Sequence, residues 1–104
     1  MKKRIPYGSK IKVRFTQRDR DLILNHTLAG PDETKQLVRA RKREGVYIGS
    51  YSLNELDELL GFVAAEANHT KNRKLQGELD RLYEKLESEM QKYEDGGESL
   101  LQSS

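Results

Sequence analysis

The residues best suited to chemistry in this chain are two histidines, an alternating run of arginines, and a few aromatics on a long helix. Glu66 and His69 stand in the Glu-x-x-His spacing, which places a carboxylate and an imidazole on one helical face. Di-iron bundles use that spacing, but they carry it twice and add glutamates from facing helices. Here it occurs once, and His26 is the other histidine. A zinc centre needs three or four ligands, which these residues reach only with Glu66 or a nearby aspartate. No metal and no cofactor is therefore expected.

The histidines sit in two copies of one tripeptide, Asn25-His26-Thr27 and Asn68-His69-Thr70, each closing an expected helix. Asparagine tolerates left-handed backbone there, and histidine suits the negative end of the helix dipole. If the two ends converged, Asn25, His26, Glu66, Asn68 and His69 would line a small polar ligand pocket. Catalysis has less to draw on. The chain has no cysteine, no glycine-rich phosphate loop and no Gly-x-Ser-x-Gly, so no catalytic residues are assigned and an enzyme is not expected.

The cations offer a second site. Val46 to Tyr51 and Leu37 to Lys42 flank Arg43-Glu44-Gly45, which reads as a β-hairpin with glycine at its turn. With Val38, Ala40, Val46 and Ile48 facing a core, the pleat would put Arg39, Arg41, Arg43, Tyr47 and Tyr51 on the other face. Arginines interleaved with tyrosines can hold phosphates and stack bases, as single-strand and RNA binders do. Lys2, Lys3 and Arg4 would add a basic arm. Glu44 and a net charge of only +2 weigh against a strongly polyanionic partner. Propensity alone favours a different local fold, one helix from Pro31 to Glu44 capped by Gly45.

The elements that must position these groups follow from periodicity. Met1 to Ser9 reads as a mobile basic arm. In Lys10 to Phe15, Ile11, Val13 and Phe15 alternate with Lys12 and Arg14, the pattern of a half-buried strand. Thr16 with Asp19 then opens a short helix through a capping box, and Ser52 with Glu55 opens a long one in the same way. Leu53, Leu56, Leu59, Leu60, Val63, Ala64 and Ala67 recur at three- and four-residue steps, so 53–69 is the central core helix. Gly61 weakens it by about 1 kcal/mol relative to alanine unless something packs closely there.

A second amphipathic stripe, Leu75, Leu79, Leu82, Leu86, Met90 and Tyr93, marks a helix over about 73–94 with Asn72 as N-cap. The short link makes the two long helices antiparallel neighbours. Residues near the end of the second lie past the roughly 28 Å reach of its partner. Tyr83, Met90 and Tyr93 are therefore the candidate interface residues. Residues 95–104 read as a disordered tail.

The fold class expected is α+β within 10–94: a small antiparallel sheet, made of one strand and a β-hairpin, packed by one short helix and the C-terminal antiparallel helical hairpin. With 35% of residues hydrophobic and 35% charged, the core is modest. No apolar run approaches the ~20 residues of a membrane span, and no signal-peptide pattern follows Met1, so a cytoplasmic protein off the membrane is expected. The function expected is a small non-enzymatic protein-interaction or regulatory module that self-associates as a homodimer. The alternative is a nucleic-acid-binding protein working through the hairpin face, and a third reading is a ligand or metal site near His26, Glu66 and His69.

Overall fold

The structure, a computed structural model, describes residues 3–95. Met1 and Lys2 of the expected arm, and 96–104 of the expected tail, lie outside the described residues. The elements in chain order are β1 (Lys3–Ile5), β2 (Lys10–Thr16), α1 (Gln17–His26), α2 (Pro31–Arg39), β3 (Lys42–Arg43), β4 (Val46–Ser52), α3 (Leu53–His69), α4 (Arg73–Met90) and β5 (Tyr93–Asp95). The fold is α+β. An antiparallel sheet in the order β2-β4-β3 carries the β3–β4 hairpin, and β1 and β5 form a separate parallel pair.

Strand β2 sets the phase of the sheet. Ile11, Val13 and Phe15 are buried while Lys10, Lys12, Arg14 and Thr16 are exposed, so one face meets the core and the other meets water. Ile11 lies opposite Tyr51, Val13 opposite Gly49 and Phe15 opposite Tyr47. Cross-strand partners share a face, which puts Tyr47, Gly49 and Tyr51 on the core side. Val46, Ile48 and Ser50 are left on the outer side.

This inverts the expected pleat. Tyr51 is 1% exposed and packs edge-on against Phe15, with ring centroids 6.0 Å apart. Val46 and Ile48 are half-buried and belong to no part of the core cluster. The aromatic stripe and the aliphatic stripe of β4 compete for one core. Gly49 decides for the aromatics, because it opens a space between the Tyr51 and Phe15 rings that a side chain would fill. A Cβ there would stand 2.8 Å from Tyr51 Cε2 and 3.3 Å from Phe15 Cε2.

The second difference concerns Leu37 to Arg39, which close helix α2 (Pro31–Arg39) instead of opening the first strand of the hairpin. Pro31 occupies the first turn, where its missing N–H costs nothing. The Glu33 carboxylate accepts a hydrogen bond from the Gly30 N–H at 2.9 Å, and Asp32 and Glu33 suit the positive end of the dipole. Propensity prevails here over a short alternation. The helix stops at Arg39 rather than at Glu44, so both local readings missed its end. Leu37 is its buried residue, and Val38 is 58% exposed.

What remains of the hairpin is compact. Arg43 pairs with Val46, leaving a two-residue turn in which Glu44 and Gly45 have φ of 50° and 85°. Positive φ at both positions is the type I′ geometry that matches the twist of the flanking strands.

Three caps start the other helices. The Thr16 hydroxyl accepts from the Asp19 N–H and the Asp19 carboxylate from the Thr16 N–H, each at 3.0 Å. Ser52 and Glu55 repeat the exchange at 3.1 and 2.8 Å. The Asn72 side-chain oxygen accepts from the Leu75 N–H at 3.0 Å. Helices α3 and α4 pack on each other, and Leu56, Leu59, Val63, Leu79, Leu82 and Leu86 meet in the interior. Truncating a leucine so placed costs about 2–5 kcal/mol.

The long helix α4 ends at Met90, short of the expected 94, because the chain turns at Gln91 and Lys92 into β5. There Tyr93 pairs with Lys3 and Asp95 with Ile5. Lys3 to Ile5 is thus strand rather than a mobile arm. The buried Ile5 side chain anchors it.

Candidate functional site

The outer face of the sheet collects cations. Lys12 and Arg14 project from β2, and Arg43 stands across the strands at the hairpin end. With Glu44, Val46 and Ile48 they line an open trough of about 650 Å³. Lys12 and Arg14 also form one wall of a second trough of about 470 Å³, whose other wall is Lys85, Glu89 and Lys92 near the end of α4. Lys12 and Arg14 are therefore the ridge between two basic depressions.

Their charge is uncommitted. Among the described residues Lys12, Arg14 and Arg43 form no ion pair, whereas Lys85 is held by Asp19 and Lys92 by Glu89 at 2.8 Å. The Glu89 carboxylate beside it holds the Lys92 ammonium above its ordinary pKa. Elsewhere Arg18 bonds both oxygens of Glu78, at 2.8 and 2.7 Å, which ties α1 to α4. That bidentate bond holds the Glu78 carboxyl below the usual carboxylate range. Such ties are structural, whereas Lys12, Arg14 and Arg43, like other surface cations such as Lys35, Arg73 and Lys74, form no ion pair among the described residues.

The residues expected to form a basic hairpin face are mostly elsewhere. Arg39 ends α2, and Arg41 lies in the link before β3. Arg43 alone of the three arginines reaches the outer face. Tyr47 is on the inner side, where its hydroxyl donates to Gln17 Oε1 at 2.9 Å and Arg20 lies over its ring, 4.9 Å from the centroid. Tyr51 is buried and its hydroxyl donates to the Glu33 carbonyl at 3.1 Å. Burial pushes the Tyr51 phenol well above its ordinary pKa, with the nearby Glu55 carboxylate adding to the shift. Neither ring is placed to stack on a base. The missed residues, Lys12 and Arg14, carried a signal in the sequence, since the strict alternation of Lys10 to Phe15 already put them outside.

Asn25, His26, Glu66, Asn68 and His69 do lie at helix ends. Strands β2 and β4 are antiparallel, so α1 and α3 leave the sheet from opposite ends. The described residues contain no group of three or more histidine, aspartate or glutamate side chains able to hold a metal ion.

The expected interface residues, on α4 and β5, have a different setting. Tyr83, Met90 and Tyr93 are half-buried against the core. With Leu53 and Leu60 of α3 they floor a groove of about 300 Å³, and Asp57, Glu87, Gln91 and Glu94 form its rim. Its lining holds three carboxylates and no cation. Glu94 is engaged by Arg4 at 3.5 Å, while Asp57 and Glu87 form no ion pair among the described residues. No helix is long and apolar enough to cross a membrane among those residues. No protein-family model matches the chain, and neither a curated protein nor a solved structure matches it.

Proposed function

We propose that this protein is a non-enzymatic binding module that holds the phosphate backbone of single-stranded nucleic acid on the open face of its sheet. One observation carries the reading: Lys12, Arg14 and Arg43 stand together around half-buried Val46 and Ile48 and form no ion pair among the described residues, with Glu44 the one carboxylate in their trough. An extended anionic chain crossing the face would meet Arg43 first, then the Lys12 and Arg14 ridge, then the trough toward Lys85 and Lys92. With both tyrosines turned inward, contact is to phosphate and sugar rather than to bases. Binding is therefore indifferent to sequence and strongly dependent on salt. A cytoplasmic location belongs to the same reading.

The test is fluorescence anisotropy with labelled single-stranded and duplex oligonucleotides across a salt series. Three neutralised phosphates on a single strand give a slope of log K against log salt of about −2. Lys12→Ala with Arg14→Ala removes two contacts and reduces the slope by about 1.4. Arg39→Ala with Arg41→Ala leaves binding at the wild-type level. Absence of binding at low salt, or binding that ignores the Lys12 and Arg14 changes, overturns the proposal.

A further inference from the structure

We infer that the acidic groove between α3 and α4 receives the basic sheet face of a second copy of this chain. The two surfaces are complementary in charge and alike in construction. The groove has an apolar floor that includes Tyr83, Met90 and Tyr93, under a rim with the free carboxylates of Asp57 and Glu87. The sheet face has an apolar centre of Val46 and Ile48, framed by the free cations Lys12, Arg14 and Arg43, which outnumber the one carboxylate there, Glu44 at the hairpin turn. Each supplies what the other lacks, and both belong to one chain.

The alternatives within a self-contact are unfavourable. Sheet face on sheet face sets Lys12 and Arg14 against their own copies, and groove on groove does the same for Asp57 and Glu87. Like charges brought together across an interface oppose association. The contact is therefore heterologous, groove of one protomer to sheet of the next. It covers the same cations that the nucleic-acid reading uses, so a copy seated there and an oligonucleotide exclude each other. The inference stands apart from that reading, because the groove takes no part in it and sedimentation tests it without nucleic acid.

The test is paired charge reversal, read by sedimentation velocity at low salt over a range of concentrations. Wild-type protein gains mass with concentration and loses that gain as salt rises. Lys12→Glu with Arg14→Glu makes the sheet acidic, and Asp57→Lys with Glu87→Lys makes the groove basic. Each variant alone faces like charge and associates about tenfold more weakly or not at all. Mixed together, the two variants recover association, because acidic sheet now meets basic groove and acidic groove still meets basic sheet. Recovery on mixing also shows that the reversals left the fold intact, which circular dichroism checks independently. A wild-type protein that stays monomeric overturns the inference. Association that survives either reversal, or a mixture that fails to recover while both variants are folded, overturns it as well. So does a groove that binds a Lys- and Arg-rich peptide while the chain itself stays monomeric.

Discussion

Gly49→Ala should unfold this protein more readily although it adds only one methyl group. The added Cβ would lie 2.8 Å from Tyr51 Cε2 and 3.3 Å from Phe15 Cε2, against the 3.5–4.0 Å of an ordinary carbon contact. Neither ring can yield cheaply. Tyr51 and Phe15 are both fully buried, they pack edge-on, and the Tyr51 hydroxyl is fixed to the Glu33 carbonyl of α2. Overpacking of this kind costs about 1–3 kcal/mol, and the gain from replacing a flexible glycine in a strand offsets about 0.5–1 kcal/mol of it. The net loss is about 0.5–2 kcal/mol, which lowers Tm by about 2–16 °C in a domain of this size. Thermal and urea unfolding followed by circular dichroism read this directly.

Gly61→Ala is the control. Nothing lies within 4 Å of its added Cβ in α3, so helix propensity acts alone and stability rises by about 1 kcal/mol. A third variant assigns the cause: in a Tyr51→Leu background the Gly49→Ala penalty should shrink. A Gly49→Ala protein as stable as wild type, or a penalty unchanged when the ring is gone, refutes the account of the core.

Two further outcomes follow from local geometry. Burial alone would raise the Glu55 carboxyl, but the Ser52 N–H and Lys10, 3.2 Å away, outweigh it and hold the group below the usual carboxylate range. A depressed folded pKa gives stability that is present above the unfolded value of about 4.3 and disappears as pH falls through the folded value. Tm of wild type should therefore fall more steeply than that of Glu55→Gln below about pH 4.5, and curves that stay parallel there would contradict this. Glu44→Asn places the preferred residue at the first central position of the type I′ turn, where φ is 50°. It should raise stability by about 0.5–1 kcal/mol, and a lower Tm would show that Glu44 contributes something beyond its backbone.

Much of the fold was legible because local and long-range signals agreed. Thr16 with Asp19, Ser52 with Glu55, and Asn72 each announce a helix in chemistry that needs no tertiary context. The alternation from Lys10 to Phe15 likewise fixes both faces of β2. The sequence was ambiguous where two stripes of comparable apolarity ran along one strand. Val46 and Ile48 look more core-like than Tyr47 and Tyr51, and only the pairing with Ile11, Val13 and Phe15 selects between them. Over Leu37 to Lys42 the alternation of Val38, Ala40 and the arginines imitated a strand, although its first three residues belong to a helix that the Pro31 start and propensity make. The misread pleat moved the candidate site with it: a cationic sheet face does exist, but Lys12 and Arg14 build it. The short strand β5 escaped notice because its partner, Lys3–Ile5, lies about ninety residues away, beyond the reach of any local pattern.

That distant pair gives the molecule a mechanical property. Strands β1 and β5 run parallel, with Lys3 beside Tyr93 and Ile5 beside Asp95. Tension applied to the chain at residue 3 and residue 95 pulls the two strands along their length in opposite directions. The bonds between them are then loaded together in shear and must fail together, instead of opening one after another as in a hairpin pulled from its ends. The clamp sits outside the sheet, so a force carried through the chain meets it before it reaches the helices or the cationic face.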